Sequence, residues 1–104
     1  TSVNVPVFNC HAETINVECE KDVDLEVLKN CYEDSENLIL LDSPADYIYA
    51  TPKECSLDKN IFISRIRKDD TVKFGINMWV VSDNLIITAM NIINTLKLFG
   101  IIHY

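Results

Sequence analysis

His11 is the residue of this chain best suited to moving protons near neutral pH, because an imidazole titrates there and can act as general acid or base. It directly follows Cys10, one of four cysteines at 10, 19, 31 and 55. A thiolate can do covalent work, but no C-x-x-C pair occurs. Cys10, His11, Cys19 and Cys31 lack the paired spacing of a metal site, so no metal is expected. The four thiols read as reduced and mostly buried, in a cytoplasmic protein. His103 lies near the end of the chain in no motif. Read from its own surroundings, His11 is a strand-end histidine with a satisfied hydrogen bond.

The composition narrows the classes of function. The chain has 104 residues, enough for one domain with a modest core. Its net charge of −7, from 16 acidic and 9 basic residues, argues against a nucleic-acid surface and a polybasic membrane contact. No signal peptide is read at its start, and the uncharged run from Asn84 to Leu96 is too short for a membrane span. There are only two glycines, Gly75 and Gly100. A dinucleotide fold needs a glycine-rich turn at the pyrophosphate. This chain alone therefore cannot supply a standard nucleotide-binding domain.

The elements that must position His11 follow from periodicity. Val3, Val5 and Val7 alternate, so Val3 to Val7 reads as a strand ending at the histidine. Thr14–Glu20 reads as a second strand, with Ile15, Val17 and Cys19 on its apolar face. Asp24 to Tyr32 has helical spacing, capped by Asp22 or Asp24. Glu33–Asn37 is an acidic, solvated exit loop. Leu38–Leu41 reads as a short strand and Tyr47–Lys53 as extended, with Glu54 to Asn60 a loop. Ile61–Arg67 and Thr71–Val81 read as strands of an antiparallel hairpin. In the second, Val72, Phe74, Ile76, Met78 and Val80 share one face while Trp79 and Val81 take the other, so both faces look covered. A helix from Asn84 to Phe99 is capped by Ser82 or Asp83 and stopped by Gly100. Its apolar surface is wide enough to predict burial on more than one side, by the sheet and a partner. Ile101 to Tyr104 is a frayed end or a last short strand. The order β-β-α-β-β-β-α gives an α+β fold, a mixed, largely antiparallel sheet with helices packed on it.

Four stretches, in order, resemble the aspartate-semialdehyde dehydrogenase family. Thr1-Ser2-Val3-Asn4-Val5-Pro6-Val7-Phe8-Asn9-Cys10-His11-Ala12-Glu13 resembles its T-S-V-R-V-P-V-x-x-x-H-S-E segment. Tyr49-Ala50-Thr51-Pro52 is similar to its Y-P/A-T-P segment. Ile61 to Asp69 resembles V-F-V-G-R-I-R-x-D, and Gly75 to Leu85 resembles G-L-N-L-W-V-V-A-D-N-L. The resemblance covers residues 1–104, and these correspond to only about the last third of the family's enzyme. It implies a semialdehyde dehydrogenase dimerisation-domain fold and a homo-oligomer, or a missing N-terminal half as partner. It also implies NADPH-dependent reduction of β-aspartyl phosphate to aspartate β-semialdehyde, with His11 as acid/base catalyst and Asn84 beside the nicotinamide of NADP. Three departures stand out. Asn4 replaces an arginine whose guanidinium binds the substrate carboxylate. Ala12 replaces a serine. Ile86-Ile87-Thr88 replaces an Arg-Lys-Gly start to the last helix. The nucleophile segment and nucleotide-binding half lie outside the chain, and Cys10 matches neither. The reading is thus a dehydrogenase segment inactive alone, or a decayed relative kept as a dimerisation module.

Overall fold

The computed structural model describes residues 2–103. Thr1 of the first motif and Tyr104 of the final segment lie outside the described residues. Four strands form one sheet in the order β1-β4-β3-β2, built from β1 (His11–Glu18), β2 (Leu38–Leu40), β3 (Ile61–Asp69) and β4 (Gly75–Ser82). β4 pairs antiparallel with both β1 and β3, and β2 runs parallel to β3. The expected mixed, largely antiparallel sheet is therefore present.

Two apolar clusters sit on its two faces, as the double-sided pattern of β4 requires. One gathers Ile63, Ile66, Ile76 and Met78, covered by Leu25, Leu28 and Tyr32 of α1 (Leu25–Glu33). Asp24 caps α1, its carboxylate accepting from the Glu26 N–H at 2.9 Å. Asp22 instead takes Lys68 Nζ at 2.6 Å, tying the approach to α1 to the far end of β3. The other cluster holds Phe62 and Val81 under Ala50 and Cys55. Those last two come from a strap across the sheet that ends in the short helix α2 (Pro52–Cys55).

Four expectations are corrected. Val3 to Val7 is not a strand. Pro6 cannot donate to a ladder, and Val7 N–H bonds the Val5 carbonyl at 2.8 Å, a tight turn that suits the fixed φ of proline. His11 therefore opens a strand rather than following one, after Cys10 turns the backbone at φ 78°. Tyr47–Lys53 is not extended throughout. Tyr47 is left-handed at φ 55°, and Pro52 begins α2, where its missing N–H costs nothing. β4 starts at Gly75, not Thr71, because Asp69 accepts the Thr71 N–H and hydroxyl and closes a turn. Thus one strand, not two, precedes α1, while the three strands expected after it are present.

The last helix, α3 (Asn84–Leu98), is capped by Asp83 and followed by Gly100 at φ 68°, as read from the sequence. It buries no residue, however. This chain leaves much of its apolar surface uncovered. Leu85, Ile92, Leu98 and Phe99 are exposed. No helix among the described residues is long and apolar enough to cross a membrane.

Candidate active site

His11 stands at the start of an edge strand, its ring more than half exposed. It and Glu13 project from the same face of β1, two residues apart. His11 Nε2 and Glu13 Oε1 are 2.7 Å apart, a hydrogen bond in which the ring N–H donates and the carboxyl oxygen accepts. The segment before β1 folds back beside it. Between them opens a cavity of about 890 Å³, lined among others by Asn4, Cys10, His11, Glu13, Pro52 and Trp79. Asn4, at the position that departs from the arginine pattern, is thus in the same cavity as the histidine.

One wall of the cavity is set by a clamp that pattern reading missed. Ser64 is fully buried and its Oγ accepts the Ala50 N–H at 2.8 Å. Trp79 Nε1–H donates to the Ala50 carbonyl at 3.0 Å. Both backbone groups of Ala50 are thereby satisfied by side chains of β3 and β4. The clamp fixes the strap, and so Pro52, against the mouth of β1. Its one sequence signal is a serine inside the apolar run Ile61 to Ile66.

Asn84 is brought to the same end of the sheet. His11 pairs with Ser82, two residues before it. Asn84 is exposed in the first turn of α3 and does not line the His11 cavity. Asp83 between them is buried and ties three segments together. Its carboxylate accepts from Leu57 N–H at 2.9 Å and from Leu85 and Ile86 N–H at 3.2 Å. These backbone donors, Leu57 first, hold its pKa below the usual carboxylate range. The sequence marks Asp83 as a cap; its bond to Leu57, 26 residues away, is not legible there.

Burial pushes the Cys10 thiol up, and the Asp83 charge adds to this. Burial likewise pushes Cys55 up, to about 11, with Cys10 the next contributor. Neither thiol is poised as a thiolate near neutral pH. All four cysteines are unpaired, but they are not mostly buried: only Cys55 is, while Cys10 and Cys19 are half-buried and Cys31 is exposed. Among the described residues no three metal-ligating side chains come together. The arrangement can exchange a proton at His11 above an open cavity. No nucleophile among its lining residues is activated.

Comparison with known proteins gives a consistent result. The family described as semialdehyde dehydrogenase, dimerisation domain, matches residues 1–87. An aspartate-semialdehyde dehydrogenase from Rickettsia bellii is 34% identical over 85 residues, covering 82% of this chain and 25% of that protein. One from Aquifex aeolicus is 35% identical over the same coverage. One from Helicobacter pylori is 32% identical over all 104 residues and 29% of its own length. The crystal structure of aspartate semialdehyde dehydrogenase II from Vibrio cholerae superposes with a TM-score of 0.77, at 28% identity, over 89% of this chain and 28% of that one. The chain spans about a quarter of the length of the curated relatives it matches.

Proposed function

The chain belongs to the semialdehyde dehydrogenase dimerisation-domain family, and from that premise we propose that it is the C-terminal catalytic segment of an aspartate-semialdehyde dehydrogenase. The reaction is the NADPH-dependent reduction of β-aspartyl phosphate to aspartate β-semialdehyde, a step of amino-acid biosynthesis in the cytoplasm. The nucleophile and most of the nucleotide site would come from protein outside these residues. The observation that carries this reading is His11, facing an open cavity with its ring bonded to Glu13.

The residues present fit one end of a dinucleotide. Asn84 offers an exposed amide at the first turn of α3. Gly75 is buried in the sheet and Gly100 follows α3, so neither makes a phosphate-binding turn. NADP, when bound, supplies or accepts the hydride. Asn84 would hydrogen-bond its carboxamide end. With Nε2 bonded to Glu13, His11 would give a proton to, or take one from, the substrate oxygen through Nδ1. Glu13 fixes the ring through its hydrogen bond to Nε2. Asn4 faces the substrate with a neutral amide, so its grip on a carboxylate is weaker than an arginine fork. Pro52 and the clamped strap keep the cavity wall in place.

His11→Ala in the assembled enzyme should lower kcat by roughly 10²- to 10⁴-fold, the usual worth of a positioned acid/base. KM should change little. An unchanged kcat would remove His11 from the chemistry. Asn4, together with Ile86 and Ile87 where basic residues are the pattern, favours a second reading, a non-catalytic dimerisation module. That reading gains if the assembled protein, correctly folded, shows no turnover before any substitution.

A further inference from the structure

The proposed substrate carries two anionic groups, a carboxylate and a phosphate, and the His11 cavity offers them little positive charge. The titratable pair on its lining, His11 and Glu13, is bonded to itself at 2.7 Å. Asn4 is neutral, and no lysine or arginine lines the cavity. Desolvating an anion without a cation to meet it is costly. Such a substrate calls for a cation close by.

One stands beside it. Val7 and Pro52 are shared between the His11 cavity and a second one of about 380 Å³, whose polar lining is Asn9, Lys53 and Ser56. Of the nine lysines and arginines of the chain, Lys53 alone lines either cavity among the described residues. Lys68 is tied to Asp22, and Arg65 and Arg67 line a separate groove. Lys53 is exposed and makes no ion pair or side-chain hydrogen bond among the described residues. Glu54 follows it but lines neither cavity. The backbone under Lys53 is fixed. Ala50 is clamped by Ser64 and Trp79, and Thr51 caps α2, its Oγ1 accepting the Glu54 N–H at 3.4 Å. The ammonium is thus an uncommitted charge on a flexible stem rooted in the wall of the His11 cavity.

We propose that Lys53 is the phosphate-binding, specificity-determining residue that this chain contributes. Its ammonium takes the phosphoryl group in the second cavity, with Asn9 and Ser56 as hydrogen-bonding groups beside it, while the reacting carbon lies by His11. The proposal rests on the dehydrogenase reading and names the residue that reads the charge of its substrate. Two arguments select the phosphoryl group over the carboxylate. An ammonium acts as a point charge, which suits a compact dianion, whereas a carboxylate is held best by a planar fork. Asn4, at the position that the resemblance gives to the carboxylate, lines the His11 cavity and not the second one.

Turnover of the native polypeptide that carries this chain tests this, in the direction where aspartate β-semialdehyde and inorganic phosphate are separate reactants. Lys53→Gln should raise KM for phosphate by roughly tenfold to a hundredfold, the worth of a hydrogen bond to a charged group. KM for the semialdehyde should stay close to its parent value. Lys53→Arg, which keeps the charge, should recover most of the loss. Circular dichroism checks that each variant is folded. A KM for phosphate that Lys53→Gln leaves unchanged would overturn the proposal. So would a rise in KM for the semialdehyde instead, which would give Lys53 to the carboxylate. Binding is also read without turnover. Inorganic phosphate added to the 104-residue chain should shift the Lys53 and Ser56 amide resonances and the Asn9 side-chain amide, less so as salt rises. Lys53→Gln should abolish those shifts. Shifts absent from the parent chain, or unchanged by the substitution, would overturn the proposal. A native polypeptide without turnover defeats the catalytic reading, and the phosphate titration still decides the role of Lys53.

Discussion

At the scale of the residue, His11 and Cys55 stand in opposite surroundings. His11 is exposed over a cavity and bonded through one ring nitrogen. Cys55 has no exposed surface and its thiol is pushed up to about 11. The consequence for stability has a definite sign. In the unfolded chain Cys55 ionises in the ordinary thiol range. In the folded chain it stays protonated to about pH 11. Between those values the unfolded state alone sheds the proton, so stability is intact below the thiol range and falls as pH rises towards 11. Denaturant titrations across that window should show the loss, and Cys55→Ala should flatten the part due to this thiol. A slope unchanged by the substitution would deny Cys55 its role. His11 was singled out by its motif, and the structure sets it on a cavity. The clamp on Ala50 was not, because it joins Ala50 to Ser64 and Trp79 through backbone groups that carry no sequence signature.

At the scale of the element, β4 is the organising strand. Its two apolar faces were readable from alternation, and each meets its own cluster. Its start was not readable, because Val72 and Phe74 continue the alternation into what is a turn. Gly75 marks the true boundary. A Cβ at that position would lie 2.8 Å from Asp69 Cβ and closer still to the Val72 side chain. Gly75→Ala should therefore cost about 1–3 kcal/mol, the range for forced overpacking, with circular dichroism and urea titration as the check. A cost near zero would mean the turn yields freely. The valine run before His11 shows the opposite failure. Period-two alternation is not sufficient for a strand, and Pro6 with a tight local turn removes that segment from the sheet. α1 and α3 were legible because aspartate caps and helical spacing agree.

At the scale of the whole molecule, the chain has the sheet of its family but about a quarter of the length of its curated relatives. The wide apolar surface of α3 was evident from sequence, whereas none of its residues is buried in this chain. The measurement that tests the account most directly is NADPH oxidation with β-aspartyl phosphate. It should be made on the 104-residue chain and on the polypeptide that carries it in its native source. The account predicts no turnover by the chain alone and turnover by the native polypeptide. Turnover by the isolated chain, or a folded native polypeptide that makes none, would contradict it.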